Sequence, residues 1–187
     1  MSGAARIRTA TPAAVADIAA GVAVCATAAA LVIAAAAAVV ALTGLNDGAR
    51  RALLFGFGGV QRTPGEALRL AIHNAKFAAG TLLCAIGAPR LPTRGRLSVD
   101  LILTSVLAIN AGLVGVALGA YGKRLAAAIA LHMPLELAAL SLAGGAYMST
   151  CKQPLGARAL ACVAALCALL LAAAATLETY APLGGPK

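Results

Sequence analysis

From Ile18 to Leu42 the chain runs without a charged residue, and most of that block is alanine, valine, leucine or isoleucine. A helix of that length reaches about 37 Å, longer than the roughly 30 Å hydrocarbon core of a bilayer. No small soluble core can enclose such an element on every side. A signal peptide has an apolar region of only about 7–15 residues, so this block is expected to stay as an anchor.

Similar blocks recur along the chain, separated by short polar or Pro/Gly-bearing gaps. They predict spans over about 18–42, 66–87, 97–121, 125–148 and 157–179. Gly44–Gly65 reads as a loop, with an apolar island, Leu53–Val60, too short to cross. Pro64 is expected just before the first turn of the second span, and Pro89, Pro92 and Pro154 mark stops. Five spans of about 20 residues use about 100 positions and leave no room for a soluble domain. The fold class expected is all-α: a polytopic transmembrane helical bundle rich in Ala and Gly, one integral membrane domain over residues 1–187. Small residues let membrane helices approach closely, and Gly115-x-x-x-Gly119 follows that pattern.

Composition agrees with this reading. Hydrophobic residues make up 61% and charged residues 11%, against about 45–50% and 25% in a soluble domain. The apolar residues come in blocks rather than in alternation, which excludes a β-barrel. The net charge of +9 would suggest nucleic acid in a soluble protein, but with 0 Trp, 3 Phe and 3 Tyr there is no stacking platform. The basic residues lie mostly in the gaps, where they meet anionic lipid headgroups. They are nearly balanced between the two faces, and the charges ahead of the first span favour a cytoplasmic N-terminus. None of the 5 cysteines forms a Cys-x-x-Cys pair, and four lie in apolar blocks, so they read as small core residues.

The candidate functional residues are the polar ones inside the spans, where lipid makes them costly. In the second span Glu66, Arg69, His73 and Lys76 fall within an arc of about 80°. Arg69 and Glu66 read as interfacial, whereas His73-Asn74 lies two turns in. The fourth span carries His132 and Glu136, an i,i+4 pair expected on one helical face, with Pro134 between them. Asn110 sits near the middle of the third span and Glu178 one turn before the end of the fifth. Three readings stay open. His73, His132 and Glu136 could ligate zinc, leaving a position for a water that the metal acidifies. The same residues with Asn74 and Asn110 could instead form a hydrogen-bonded packing network, or line an ion or proton path. Gly56-Phe57-Gly58-Gly59 lacks the Lys-Ser/Thr of a phosphate loop, and neither a nucleophile elbow nor His-Glu-x-x-His is present.

Three segments resemble motifs of the stage II sporulation protein M (SpoIIM-like) family of bacterial and archaeal membrane proteins. They are Ile72-His73-Asn74-Ala75-Lys76, the stretch from Leu131-His132-Met133-Pro134-Leu135-Glu136 on to Gly144-Gly145, and the Ala-rich run closing in Glu178-Thr179-Tyr180-Ala181-Pro182. Asn110 before Gly112 fits a polar position between them. The likeness covers about residues 60–185 and departs from the family in placing Pro134 after His132. It implies one of two functions: a scaffold in a peptidoglycan-remodelling complex, or maturation of a leader-bearing hydrophobic peptide, including joining of its ends, in circular-bacteriocin production. The expectation is the second, in a bacterial cell membrane, with an ATPase or transporter as a membrane partner and an oligomer allowed. A non-enzymatic scaffold and a transport or immunity component are the alternatives. In the maturation reading His73, His132 and Glu136 are metal ligands or acid–base groups and Glu178 is a further ligand or base. Asn74 and Asn110 orient them or stabilise an oxyanion.

Overall fold

The computed structural model describes residues 12–53 and 61–181. The Leu53–Val60 island beyond Leu53, the Gly56–Gly59 run, Arg6, Arg8 and residues 182–187 lie outside the described residues. Among the described residues there are seven α-helices and no strand: α1 (Pro12–Thr43), α2 (Asn46–Leu53), α3 (Pro64–Gly87), α4 (Thr93–Tyr121), α5 (Lys123–Ile129), α6 (Met133–Lys152) and α7 (Ala157–Tyr180). A 3-10 turn at Ala88–Arg90 follows α3. Four helices are long and apolar enough to cross a bilayer, and a fifth crossing is made if α5 and α6 count as one bent span.

Local chemistry sets most of the boundaries. Thr63 caps α3 by accepting the Glu66 amide on Oγ1 at 3.2 Å, with Pro64 in the first turn, where its missing N–H costs nothing. Gly44 (φ 69°) ends α1 and Gly122 (φ 56°) separates α4 from α5; a side chain at either would be strained in that conformation.

Two expectations are corrected. The stretch after Gly44 is not all loop, because α2 forms there. Asp47 opens it and Arg50 and Arg51 close it, which complements the helix dipole. Arg50 Nε then donates to the Ala120 carbonyl at 2.8 Å, and its guanidinium stands 5.8 Å from the Tyr121 ring centroid. The fourth span is not continuous over 125–148. It breaks between Ile129 and Met133 and bends by 64°. Pro134 supplies the reason: it brings no N–H, and its ring excludes the carbonyl four residues back, so a new helix starts at Met133 with the proline in its first turn.

The helices alternate in direction. One end of the bundle joins the start of α1 to the end of α6, where Lys152 Nζ donates to Asp17 at 2.9 Å and Gln153 donates to the same carboxylate at 3.2 Å. Nearby, the buried Tyr147 hydroxyl of α6 donates to Asp100 of α4 at 2.5 Å. The other end gathers α2, the end of α4, α5 and the starts of α3 and α6. In between, α3, α6 and α7 pack mutually around Ala78, Ala139, Ala143, Ala146, Val163, Cys167 and Leu171. Helix α1 lies along α6 with its first half and along α4 with its second. All five thiols are free.

Glycine makes both contacts of α1 possible. A Cβ on Gly145 would lie 2.6 Å from the Ile18 carbonyl oxygen and 2.8 Å from the Val22 nitrogen, and one on Gly21 would lie 2.7 Å from the Gly145 Cα. On the α4 side, a Cβ on Gly119 would meet the Ala37 carbonyl oxygen at 2.7 Å, and Gly115 is closed against Ile33 and Ala36. The Gly115-x-x-x-Gly119 pattern is therefore the α1–α4 contact. Gly145→Ala is expected to lower stability by about 1–3 kcal/mol, because backbone cannot yield as a side-chain tip does. Gly80→Ala, in open space on α3, is expected to raise it by about 0.4–1 kcal/mol. Thermal unfolding in one detergent compares the two.

Candidate functional site

The break in the fourth span organises the site. His132 is the N-cap of α6, with φ −99° and ψ −36°, and its side chain makes no capping bond. Its carbonyl accepts from the Leu135 and Glu136 amides at 3.0 and 3.1 Å and so begins the helix. His132 and Glu136 are thus joined through the backbone at a helix start, rather than stacked along a continuous helix as expected. Glu136 falls in the first turn of α6, where the positive end of the helix dipole favours a carboxylate.

From α3, Asn74 Nδ2 donates to Glu136 Oε1. Both residues are half-buried. Ala78 and Ala139, one turn further along each helix, belong to the alanine-rich core of the three-helix unit, which holds Asn74 and Glu136 at a fixed spacing. From α7, the half-buried Glu178 follows the buried Ala174 and Ala175 and lies within electrostatic reach of Arg69, His132 and Glu136. Arg69 Nε donates to Glu66 Oε2 at 2.8 Å on the outer side of α3. That pair is a rim: Arg69's side chain is 66% exposed.

Four of the expected residues, Asn74, His132, Glu136 and Glu178, therefore gather at one end of α3, α6 and α7. His73 and Asn110 do not join them. On α3 the inward face is that of Ala67, Leu70, Asn74, Ala78 and Ala85, whereas Arg69, His73 and Lys76 are exposed. His73, expected in the cluster, faces outward, and the neighbouring Asn74 points in. Asn110 is exposed on α4, and its Nδ2 donates to the Val106 carbonyl of its own helix at 2.8 Å.

Among the described residues no three His, Cys, Asp or Glu side chains converge as a group able to hold a metal ion. His73, exposed on the outer side of α3, stands apart from the half-buried His132 and Glu136. What the cluster offers is a half-buried imidazole, two carboxylates and an amide donor at one helix end, a set suited to moving a proton and hydrogen-bonding a carbonyl oxygen.

Two further acids were not singled out from the sequence. Asp17 and Asp100 each tie one helix to α6 at the opposite end, through Lys152 with Gln153 and through Tyr147. Their signal was present, since each is an acid in the opening turns of a long apolar helix.

In comparisons with family models, with curated proteins and with solved structures, none matches this chain.

A double-mutant cycle of Asn74→Ala and Glu136→Ala, read by thermal unfolding in detergent, is expected to give a coupling of about 1 kcal/mol, within the range of interhelical hydrogen bonds in membranes. Asn110→Ala is expected to change stability by less than about 0.5 kcal/mol.

Proposed function

We propose that this protein matures a hydrophobic, leader-bearing peptide in a bacterial membrane, removing the leader at the end of the bundle where α3, α6 and α7 meet. The observation that carries the reading is the Glu136 carboxylate, held by Asn74 at the start of a broken span with His132 and Glu178 beside it. The substrate class comes from the resemblance of the His73-Asn74, His132-to-Glu136 and Glu178 segments to the SpoIIM-like family.

In this reading Glu136 or Glu178 takes a proton from the water that attacks the scissile carbonyl, and His132 returns one to the departing amine. Asn74 holds Glu136 in place and is a positioning residue. One water is consumed and one peptide bond becomes a carboxylate and an amine. Joining the ends of the released peptide is the reverse balance: a carboxylate and an amine lose water, which is uphill in an aqueous medium. That step needs the carboxylate activated first: the membrane partner would transfer a phosphoryl group from ATP to it, giving an acyl phosphate and ADP, and phosphate leaves as the amine attacks. A transport component is the second reading, favoured by the 64° break, since discontinuous helices with polar ends line substrate paths in transporters.

The test is mass spectrometry of a synthetic circular-bacteriocin precursor incubated with the detergent-purified full chain, alone and with a membrane ATPase and ATP. Leader-free peptide is expected, with one water fewer when the ends have joined. Glu136→Gln and His132→Ala, shown by unchanged unfolding temperature to be folded, are expected to slow leader loss by at least about 100-fold. An intact precursor in both conditions, or variants as fast as the parent, would overturn the maturation reading.

A further inference from the structure

A groove of about 680 Å³ opens at the other end of the bundle, between the end of α3, the end of α6 and the start of α7. We propose that it binds one anionic phospholipid, with an acyl chain in the groove and the headgroup phosphate on Arg90. The site does not depend on the maturation reading.

The groove's walls explain the acyl chain. Leu82, Ala85 and Ile86 form the α3 side, and Ala157, Ala161 and Ala164 form the α7 side. Alanines at that spacing leave a trough along α7 where larger side chains would have met α3. The one hydroxyl in the floor, Thr150 Oγ1, is already given to the Ala146 carbonyl at 2.7 Å. The floor therefore offers a polar ligand no free side-chain donor. Around the groove the surface is lipid-facing, with Leu83 68% and Leu166 51% exposed. A lipid tail enters sideways from the bilayer without crossing water.

Charge selects the headgroup. Arg90 lines the groove and donates Nη1 to the Ile86 carbonyl at the end of α3. That bond fixes the guanidinium at the mouth and leaves the rest of its fork of donors for a phosphate. Among the described residues Arg90, Arg94, Arg96 and Arg158 have no ion-pair partner, whereas Lys152 is neutralised by Asp17. This end of the bundle thus carries uncompensated positive charge beside an apolar slot, as in basic pockets between membrane helices that hold anionic lipid. The first turn of α7 adds to the same field. Gly156 is its N-cap and no side chain caps it, so its amides stand beside the groove at Ala157.

Native mass spectrometry of the full chain in detergent, with dioleoyl phosphatidylglycerol and dioleoyl phosphatidylcholine added together, tests the assignment. The parent is expected to retain phosphatidylglycerol over phosphatidylcholine. Arg90→Gln is expected to lower that retention about fivefold, the weight of one basic residue near an anionic surface. Ala161→Leu, which fills the trough and keeps every charge, is expected to lower it similarly, and it decides alone if Arg90→Gln does not fold. Arg94→Gln, which removes the same charge outside the groove, is expected to leave retention unchanged. Equal retention of the two lipids would overturn the proposal. So would an effect of Arg94→Gln matching that of Arg90→Gln, which marks a diffuse basic surface. Unchanged retention in Ala161→Leu would do the same, as would a dimer of the parent lost in that variant, which gives the groove to a second copy.

Discussion

Backbone-to-backbone contact between α1 and its two neighbours is the constraint on which this structure depends. Inside a bilayer no water is released when apolar helices meet, so association rests on close packing and a few polar bonds. Gly21 with Gly145, and Gly115 with Gly119 against Ile33 and Ala37, remove the side chains that would hold the helices apart. Helix α1 in this way links α4 to the unit of α3, α6 and α7, which α4 also meets directly through Val99, Leu103 and Asp100. The ties of Asp17 to Lys152 and of Asp100 to Tyr147 then fix how far each helix slides along α6. Because those ties lie at one end, the other end is held chiefly by the alanine core, and that is where Asn74 and Glu136 meet.

Much of this architecture could be read from residues. Pro64, Gly87 and the proline-marked gaps placed α3 and α7 almost to the residue, since these boundaries are set by local backbone chemistry. Helix α2 was not legible: eight residues do not make a stable helix alone, and it forms where Arg50 can reach Ala120 and Tyr121. Pro134 was visible as a disturbance, but only the packing of both segments shows that it produces a break with His132 as its cap.

The inward faces were the least legible feature. In a soluble helix, apolar residues mark the buried side. Here alanine surrounds every helix, and lipid and protein are equally apolar partners, so no stripe distinguishes them. On α3 His73 was a natural choice for the interior, yet it faces outward with Arg69 and Lys76, and the uncharged Asn74 makes the contact across to Glu136. An amide can be buried with one hydrogen bond, whereas a lysine or arginine needs a counter-charge. The same difference explains Asn110, which satisfies one donor on its own helix and can face lipid.

The position of Glu136 in the first turn of α6 also bears on the bilayer itself. Between Glu136 and Lys152 the helix rises only about 24 Å, less than the roughly 30 Å of a typical hydrocarbon layer. Helix α1, at 32 residues, spans about 48 Å and has length to spare. Helix α6 is enclosed by α1, α3 and α7, so its shortfall is met by protein rather than lipid, and water can reach down to Glu136 from the end of the bundle while α1 still spans the layer. A peptide bond leaving the membrane interior would first meet water at that end, next to the imidazole and carboxylates, whatever chemistry they perform.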